Sequence, residues 1–353
     1  MIKRLSYHFL LIALFILTAF AGYFLYTKYI HKYATKNYNK NVNELNIDTT
    51  IKPIYLTKAP KCEDVKGNEF SVIGENYILP SNYSGWAKFC NDSSGYVLAY
   101  GEVINGKKNG VWTFYNKDTS FYYQLLLING SREGKVKSYK KGKLIEMESF
   151  LNNELEGEYK TFYENGQLSD LGNYVNGKLE GEYRAYHDNG QLSYIGNYIN
   201  GEREEVHKWY HENGQLKEIE NYVNDKLEGE LREYHENGQL SDIGNYVKGK
   251  LEGELRTYHE NGQLSHIGNY INGEREEVHK WYHKNGQLSS NGNYVNGKGE
   301  GEHRSYHENG KLSYIGIFMN DKRRGEHKWY HENGQLEVLG NYVNDQKQGK
   351  WLR

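Results

Sequence analysis

GEYRAYHDNGQLSYIGNYING, residues 181–201, is the stretch on which the fold turns. Glu182 to His187 is one short run. Asn189-Gly190 follows, a pair in which both residues tolerate positive φ, as a type I′ turn requires. Leu192 to Ile199 reads as the returning strand, and Asn200-Gly201 opens the next turn. A two-residue loop sets Asp188 against Gln191. It then places Tyr183 opposite Gly196, Ala185 opposite Tyr194 and His187 opposite Leu192. A ring resting over a cross-strand glycine is an established way to fill a gap in a sheet.

The hairpin recurs. The glycine of aromatic-x-x-Asn-Gly-[Gln/Lys]-Leu stands at 166, 190, 214, 238, 262, 286, 310 and 334, a constant step of 24 residues. An Asn-Tyr pair keeps the same step from 173–174 to 341–342, with Ile317-Phe318 substituting once. Degenerate copies reach back through Lys140-Lys141-Gly142-Lys143-Leu144 and Gly110-Val111-Trp112-Thr113-Phe114-Tyr115 to the region of Gly85. A longer echo repeats GNYINGEREEVHKWYH at 196–211 and 268–283. Proline is absent after residue 80, as paired strands demand. Runs of six to eight residues are too short for a helical solenoid. The reading is an all-β repeat protein: an elongated, twisted antiparallel sheet of tandem 24-residue β-hairpins. It has ten or eleven units over 85–353, preceded by one N-terminal transmembrane helix.

Composition fits that architecture. Tyr (34) and Gly (39) are abundant, so packing must lean on rings rather than aliphatic side chains. Tyr183 and Ala185 share a face, being two residues apart. Bulk trades between equivalent positions: Trp209, Trp281 and Trp329 accompany His207, His279 and His327, whereas Leu231 and Leu255 accompany Glu233 and Thr257. The other face carries Tyr186 and Ile195. Twist is expected to shelter one of the two, and the sequence leaves open which.

Phe9 to Tyr26 is an uncharged run of 18 residues, long enough to cross a bilayer with its aromatic end at the interface. Residues 1–27 are expected to be a membrane anchor. The alternative is a signal peptide cleaved near Ala21, since Ala19-Phe20-Ala21 has the small-x-small form. Residues 28–60 read as an extended stalk and 61–84 as a candidate cap. Residues 1–60 hold eight basic and two acidic residues against an overall net of −2, leaving −8 for the remainder. A basic base and an acidic body suit a segment near anionic lipid with the body facing away. The body is expected outside the cytoplasm. Lysines 28, 32, 36 and 40 favour a cytoplasmic body on a literal charge count. Cys62 and Cys90 are a candidate disulfide in an oxidising compartment, the alternative being two reduced thiols.

The YxENGQL…GNYxNGKxxGE pattern over about residues 85–351 resembles the MORN-repeat variant, in the form found in YwqK-like antitoxin proteins. That resemblance implies neutralising a partner toxin by protein–protein contact, and it brings no catalytic residue. MORN-type repeats elsewhere are associated with scaffolding and membrane lipids. Glu205 and Glu277 replace the glycine of the EGE segment, which puts the regularity of the turns there in question.

Other constellations weigh less. His187, His211, His235, His259, His283, His307 and His331 occupy one place in seven units. Equivalent residues should lie ~9.6 Å apart across two strand spacings, too far to share an ion at metal–nitrogen distances. They read as turn-flanking surface residues whose row gains charge below about pH 6.5. Carboxylates such as Glu202 and Glu204 are copied from unit to unit, whereas a catalytic site needs one convergent cluster. No phosphate-binding GxxxxGK[ST] loop occurs, and the charge balance gives no sign of nucleic acid.

The expectation is therefore a non-enzymatic interaction module without cofactor or metal. Its partner is a protein, with a toxin the leading class, and Trp209, Trp281 and Trp329 are the candidate contact residues. The rival expectation is an envelope scaffold binding lipid or cell-wall polymer. A third, a hydrolase within 61–150, has no motif to support it.

Overall fold

The computed structural model describes residues 62, 71–74, 79–91, 94–116 and 120–352, and every regular element among them is a strand. The expected anchor (1–27) and stalk (28–60) lie outside these residues. From Gly85–Cys90 to Gln346–Leu352 the strands pair antiparallel in chain order, the bulged ones such as Lys178–Leu179 and Gly181–Tyr186 both lying against the same preceding strand. One parallel ladder sets Ser71–Gly74 beside Gly85–Cys90, with Ser71 opposite Ala87. Each 24-residue unit is thus two strands and two turns, laid down as a meander.

The two turns of a unit differ. At Asn200-Gly201 both residues are left-handed, with φ of 53° and 84°, as type I′ geometry requires. At the other turn only Gly190 is left-handed (φ 84°). Gly190 N donates to His187 O at 2.9 Å, and His187 N donates to Gln191 O at 2.8 Å. This is a three-residue loop, Asp188-Asn189-Gly190, closed by a glycine bulge, not the expected type I′ turn. The longer loop sets Tyr186, rather than His187, opposite Leu192, and an extra residue, Ser193, then restores Ala185 opposite Tyr194. The side chain of Asn189 explains the choice. Its Oδ1 accepts from Gln191 N at 2.9 Å, and its Nδ2 donates to Glu212 O of the next unit at 2.9 Å. An asparagine folded back on its own backbone in this way stabilises the tight loop.

A second bulge follows each type I′ turn. Its residue is a glycine at positive φ in nine units, from Gly110, Gly134, Gly157 and Gly181 to Gly325 and Gly349. Glu205 and Glu277 take the same place at φ 65° and 62°. The turns there stay regular, held against the steric cost of a left-handed side-chain-bearing residue.

One face is the sheltered one. Tyr183, Ala185, Tyr194, Gly196 and Tyr198 lie on it, and so do the fully buried His207, His279 and His327. Tyr183 pairs with Gly196 in its hairpin, yet its ring covers a different glycine. A methyl group on Gly172, one strand earlier, would meet Tyr183 Cδ2 at 2.8 Å, whereas one on Gly196 would collide with His207. Each ring therefore leans one strand back along the chain. Trp112 over Gly101 and Trp351 over Gly340 follow the same rule.

At the N-terminal end this face becomes a true core of Ala87, Ala99, Val103, Trp112, Leu125, Leu127, Val136 and Phe150. Leu79 and Tyr83, from the segment expected to be a cap, pack against it. On the reverse side Val97, Tyr115, Tyr122 and Tyr139 form a second cluster with Cys62 against it.

Candidate protein interface

Along the sheltered face, one ladder position in each strand does not repeat. It runs Thr161, Asp170, Ala185, Tyr194, Trp209 and Glu218, each directly opposite the next on adjacent strands. It continues through Glu233, Asp242, Thr257, His266 and Trp281, then Ser290, Ser305, Tyr314 and Trp329. The flanking positions are nearly constant, because they carry the glycine and the ring that make one unit fit the next. A position released from that duty can carry recognition instead. All these side chains except the buried His266 are partly accessible.

Trp209, Trp281 and Trp329 all stand on this row, half-buried. Each packs on the ring opposite it: Trp209 on Tyr194 (centroids 5.0 Å apart), Trp281 on His266 (4.9 Å) and Trp329 on Tyr314 (5.3 Å). The three tryptophans are separate islands. Six strand spacings of about 4.8 Å put Trp209 and Trp281 ~29 Å apart.

Beneath the islands lies a hydrogen-bonded imidazole layer. His207 Nε2 donates to Asn197 O at 3.0 Å, and its Nδ1 accepts the Tyr194 hydroxyl. His327 repeats this with Ile317 O at 3.1 Å and Tyr314 at 2.6 Å. His279 Nε2 donates to Asn269 O at 2.9 Å and accepts at Nδ1 from His266 Nε2 at 3.0 Å. Burial holds all four below the ordinary imidazole range. His266, with His279 beside it as a lesser cause, is brought down to about 4. Arg203 adds a cation over Tyr222, its guanidinium carbon 4.1 Å from the ring centroid, and Arg323 does so over Tyr342 at 4.2 Å.

Between Trp209 and Thr257 the row turns acidic. Glu218 faces Glu233, and Glu233 faces Asp242. Glu220 is buried beside them, where most units have glycine, and accepts the Tyr222 hydroxyl at 2.5 Å. Burial, then Glu220 and Glu233, push Glu218 up to about 7, with Lys217 pulling weakly the other way. Burial, then Asp242, raises Glu233 as well. The expectation that carboxylates are merely copied from unit to unit fails here. These four residues come from three strands, and only the register unites them.

The recurrent histidines are less superficial than expected. His187 Nε2 donates to Tyr210 O at 2.9 Å, and His211, His235, His259, His283 and His307 make the same bond to the following unit at 2.8–2.9 Å. They staple neighbouring units together. Among the described residues no group of three His, Cys, Asp or Glu is arranged to hold a metal ion. Cys62 and Cys90 are joined, their Cα atoms 6.2 Å apart.

The MORN repeat variant family model matches eight tandem segments of the chain: 155–176, 179–200, 206–224, 227–248, 251–272, 278–296, 299–320 and 323–344. No curated protein matches it. Among solved structures, a chain of the GtfA/B complex is 15% identical, with 29% of this chain and 18% of that one covered and a TM-score of 0.15. A chain of the TcdB2-TccC3-Cdc42 structure is 12% identical over 75% of this chain and 19% of its own, at a TM-score of 0.16. TcdB2-TccC3 without its hypervariable C-terminal region is likewise 12% identical, over 74% and 18%, at 0.16. The chain spans less than a fifth of the length of each of these.

Proposed function

We propose that this chain, an array of MORN repeat variants over residues 155–344, is a non-enzymatic protein-binding module. The observation that carries the reading is the non-repeating row through Trp209, Glu218, Glu233, Asp242 and Trp281 on an otherwise repetitive face. Half-buried tryptophans beside a charged stretch are the composition from which interface hot spots are made. The finer reading is a module tethered to a membrane through residues 9–26 that neutralises a toxin-like protein. The apolar run and the basic base of the chain support the tether.

The test is recovery of the tagged full chain from its native membranes, beside a variant carrying Trp209→Ala, Trp281→Ala and Trp329→Ala. A stoichiometric protein lost from the variant supports the proposal. Retention on liposomes or cell-wall polymer, with no protein partner, replaces it with an envelope scaffold.

A further inference from the structure

The face opposite the tryptophans carries its own row, eight basic residues at 24-residue intervals from Lys160 to Lys328. Six of them are neutralised by a glutamate two residues earlier, as in Glu182–Arg184 and Glu326–Lys328, at 2.5–2.6 Å. In the other two units the glutamate is replaced by Val206 and Val278. Among the described residues no carboxylate reaches Lys208 or Lys280. Both valines are nearly half exposed, at 46% and 49%. Val206 lines a small groove together with Ile219, Glu220, Asn221, Glu230 and Arg232. Both sites fall in the identical segments 196–211 and 268–283.

We propose that Val206 with Lys208, and Val278 with Lys280, are two equivalent docking points for an acidic protein partner. Each takes a carboxylate on its lysine and an aliphatic side chain on its valine. Charge complementarity carries the argument, and the six internal pairs are its template, since they show where a carboxylate sits against this basic row. A net of −8 over residues 61–353 disfavours an acidic partner over the surface at large, whereas within the row from Lys160 to Lys328 it is Lys208 and Lys280 that lack an internal carboxylate. This surface is distinct from the tryptophan row, because Val206 and Trp209 lie on opposite faces of one strand.

The probe is an acetylated, amidated heptapeptide of alternating glutamate and leucine with glutamate at both ends, titrated calorimetrically into the full chain. At ~3.3 Å per residue it reaches roughly 23 Å, less than the ~29 Å between the sites, so it cannot bridge them. Two equivalent sites are expected, falling to one with Val206→Glu and to none with Val206→Glu and Val278→Glu together. Each substitution recreates the pair that six other units contain, and an unchanged circular dichroism spectrum verifies the fold. A stoichiometry other than two, or binding that survives in the double variant, overturns the proposal. Trp209→Ala with Trp281→Ala should leave this titration unaltered, so the two proposed surfaces stand or fall separately.

Discussion

His207, with no exposed surface, is held by Asn197 O on one ring nitrogen and the Tyr194 hydroxyl on the other. Because a carbonyl only accepts, Nε2 carries the proton and Nδ1 is the acceptor. The neutral imidazole satisfies both neighbours, and a charged one does not.

Stability should therefore fall in acid. Burial lowers His207, His279, His327 and His303, and His266 is brought down to about 4. The unfolded chain takes these protons near 6.5, and the folded chain resists until lower pH. Their stabilisation is thus complete above about 6.5 and is lost below it, by about 1.4 kcal/mol per pH unit for each proton taken up only on unfolding. Urea midpoints from pH 7.5 to 4.5 should decline, and His207→Leu with His279→Leu should flatten the decline. Leucine already fills the equivalent place at Leu231 and Leu255. A native profile flat over this range contradicts the assignment.

Glu218 works in the opposite direction. Its folded value of about 7 lies above the ordinary 4.5, so the native state keeps a proton that the unfolded chain releases. That cost is absent below about 4.5 and complete above 7. Glu218→Gln should leave stability unchanged at pH 4 and raise it by about 1 kcal/mol at pH 8, once solvent screening is allowed for. The histidine slope is best measured in this background. A variant no more stable than the native chain at pH 8 counts against the acidic crowding.

Glu205 and Glu277 sit in a left-handed conformation that nine other units give to glycine. Glu205→Gly and Glu277→Gly should each stabilise by about 1 kcal/mol. The two gains should add, because ~29 Å separates the sites. Thermal or urea unfolding decides the matter, and a loss of stability would mean that the strain has been misjudged.

Gly196→Ala should cost about 1–3 kcal/mol, since its methyl group would overlap the His207 ring. The chain itself suggests the remedy. Glu220 replaces the equivalent glycine in the next unit, and the ring above it is trimmed to Leu231. Gly196→Ala with His207→Leu should thus lose less than the two single changes summed, in a double-mutant cycle.

The architecture was legible because a 24-residue period with two Asn-Gly pairs per unit leaves few alternatives to a hairpin ladder. What composition could not separate were the two turns. Asn189-Gly190 and Asn200-Gly201 look alike, and only the side-chain bonds of Asn189 to Gln191 and Glu212 distinguish them. The partner of Tyr183 was ambiguous for a similar reason. Gly172 and Gly196 stand 11 residues before it and 13 after it, and His207 occupies the second. Sequence distance concealed the acidic stretch, for Glu218 and Asp242 are remote along the chain and two strands apart in the sheet. Of the candidate residues, the tryptophans were found because bulk stands out against a repeated background. Glu218 and Glu233 were missed because acids are common in every unit, and only a glutamate at the glycine position, Glu220, could have drawn attention to them.

The backward lean of each ring onto the previous unit's glycine gives the array a grain, like overlapping roof tiles. The joints share one backbone geometry, so a tile can be lifted out whole and the seam closed. Excision of residues 229–252, one full period, would leave Glu228 followed by Gly253, the same local order as before. The spacing between the Trp209 and Trp281 islands would then contract by one tile width, ~9.6 Å. The sheet is a ruler whose graduations can be removed one at a time, and a partner that spans both islands would measure the difference.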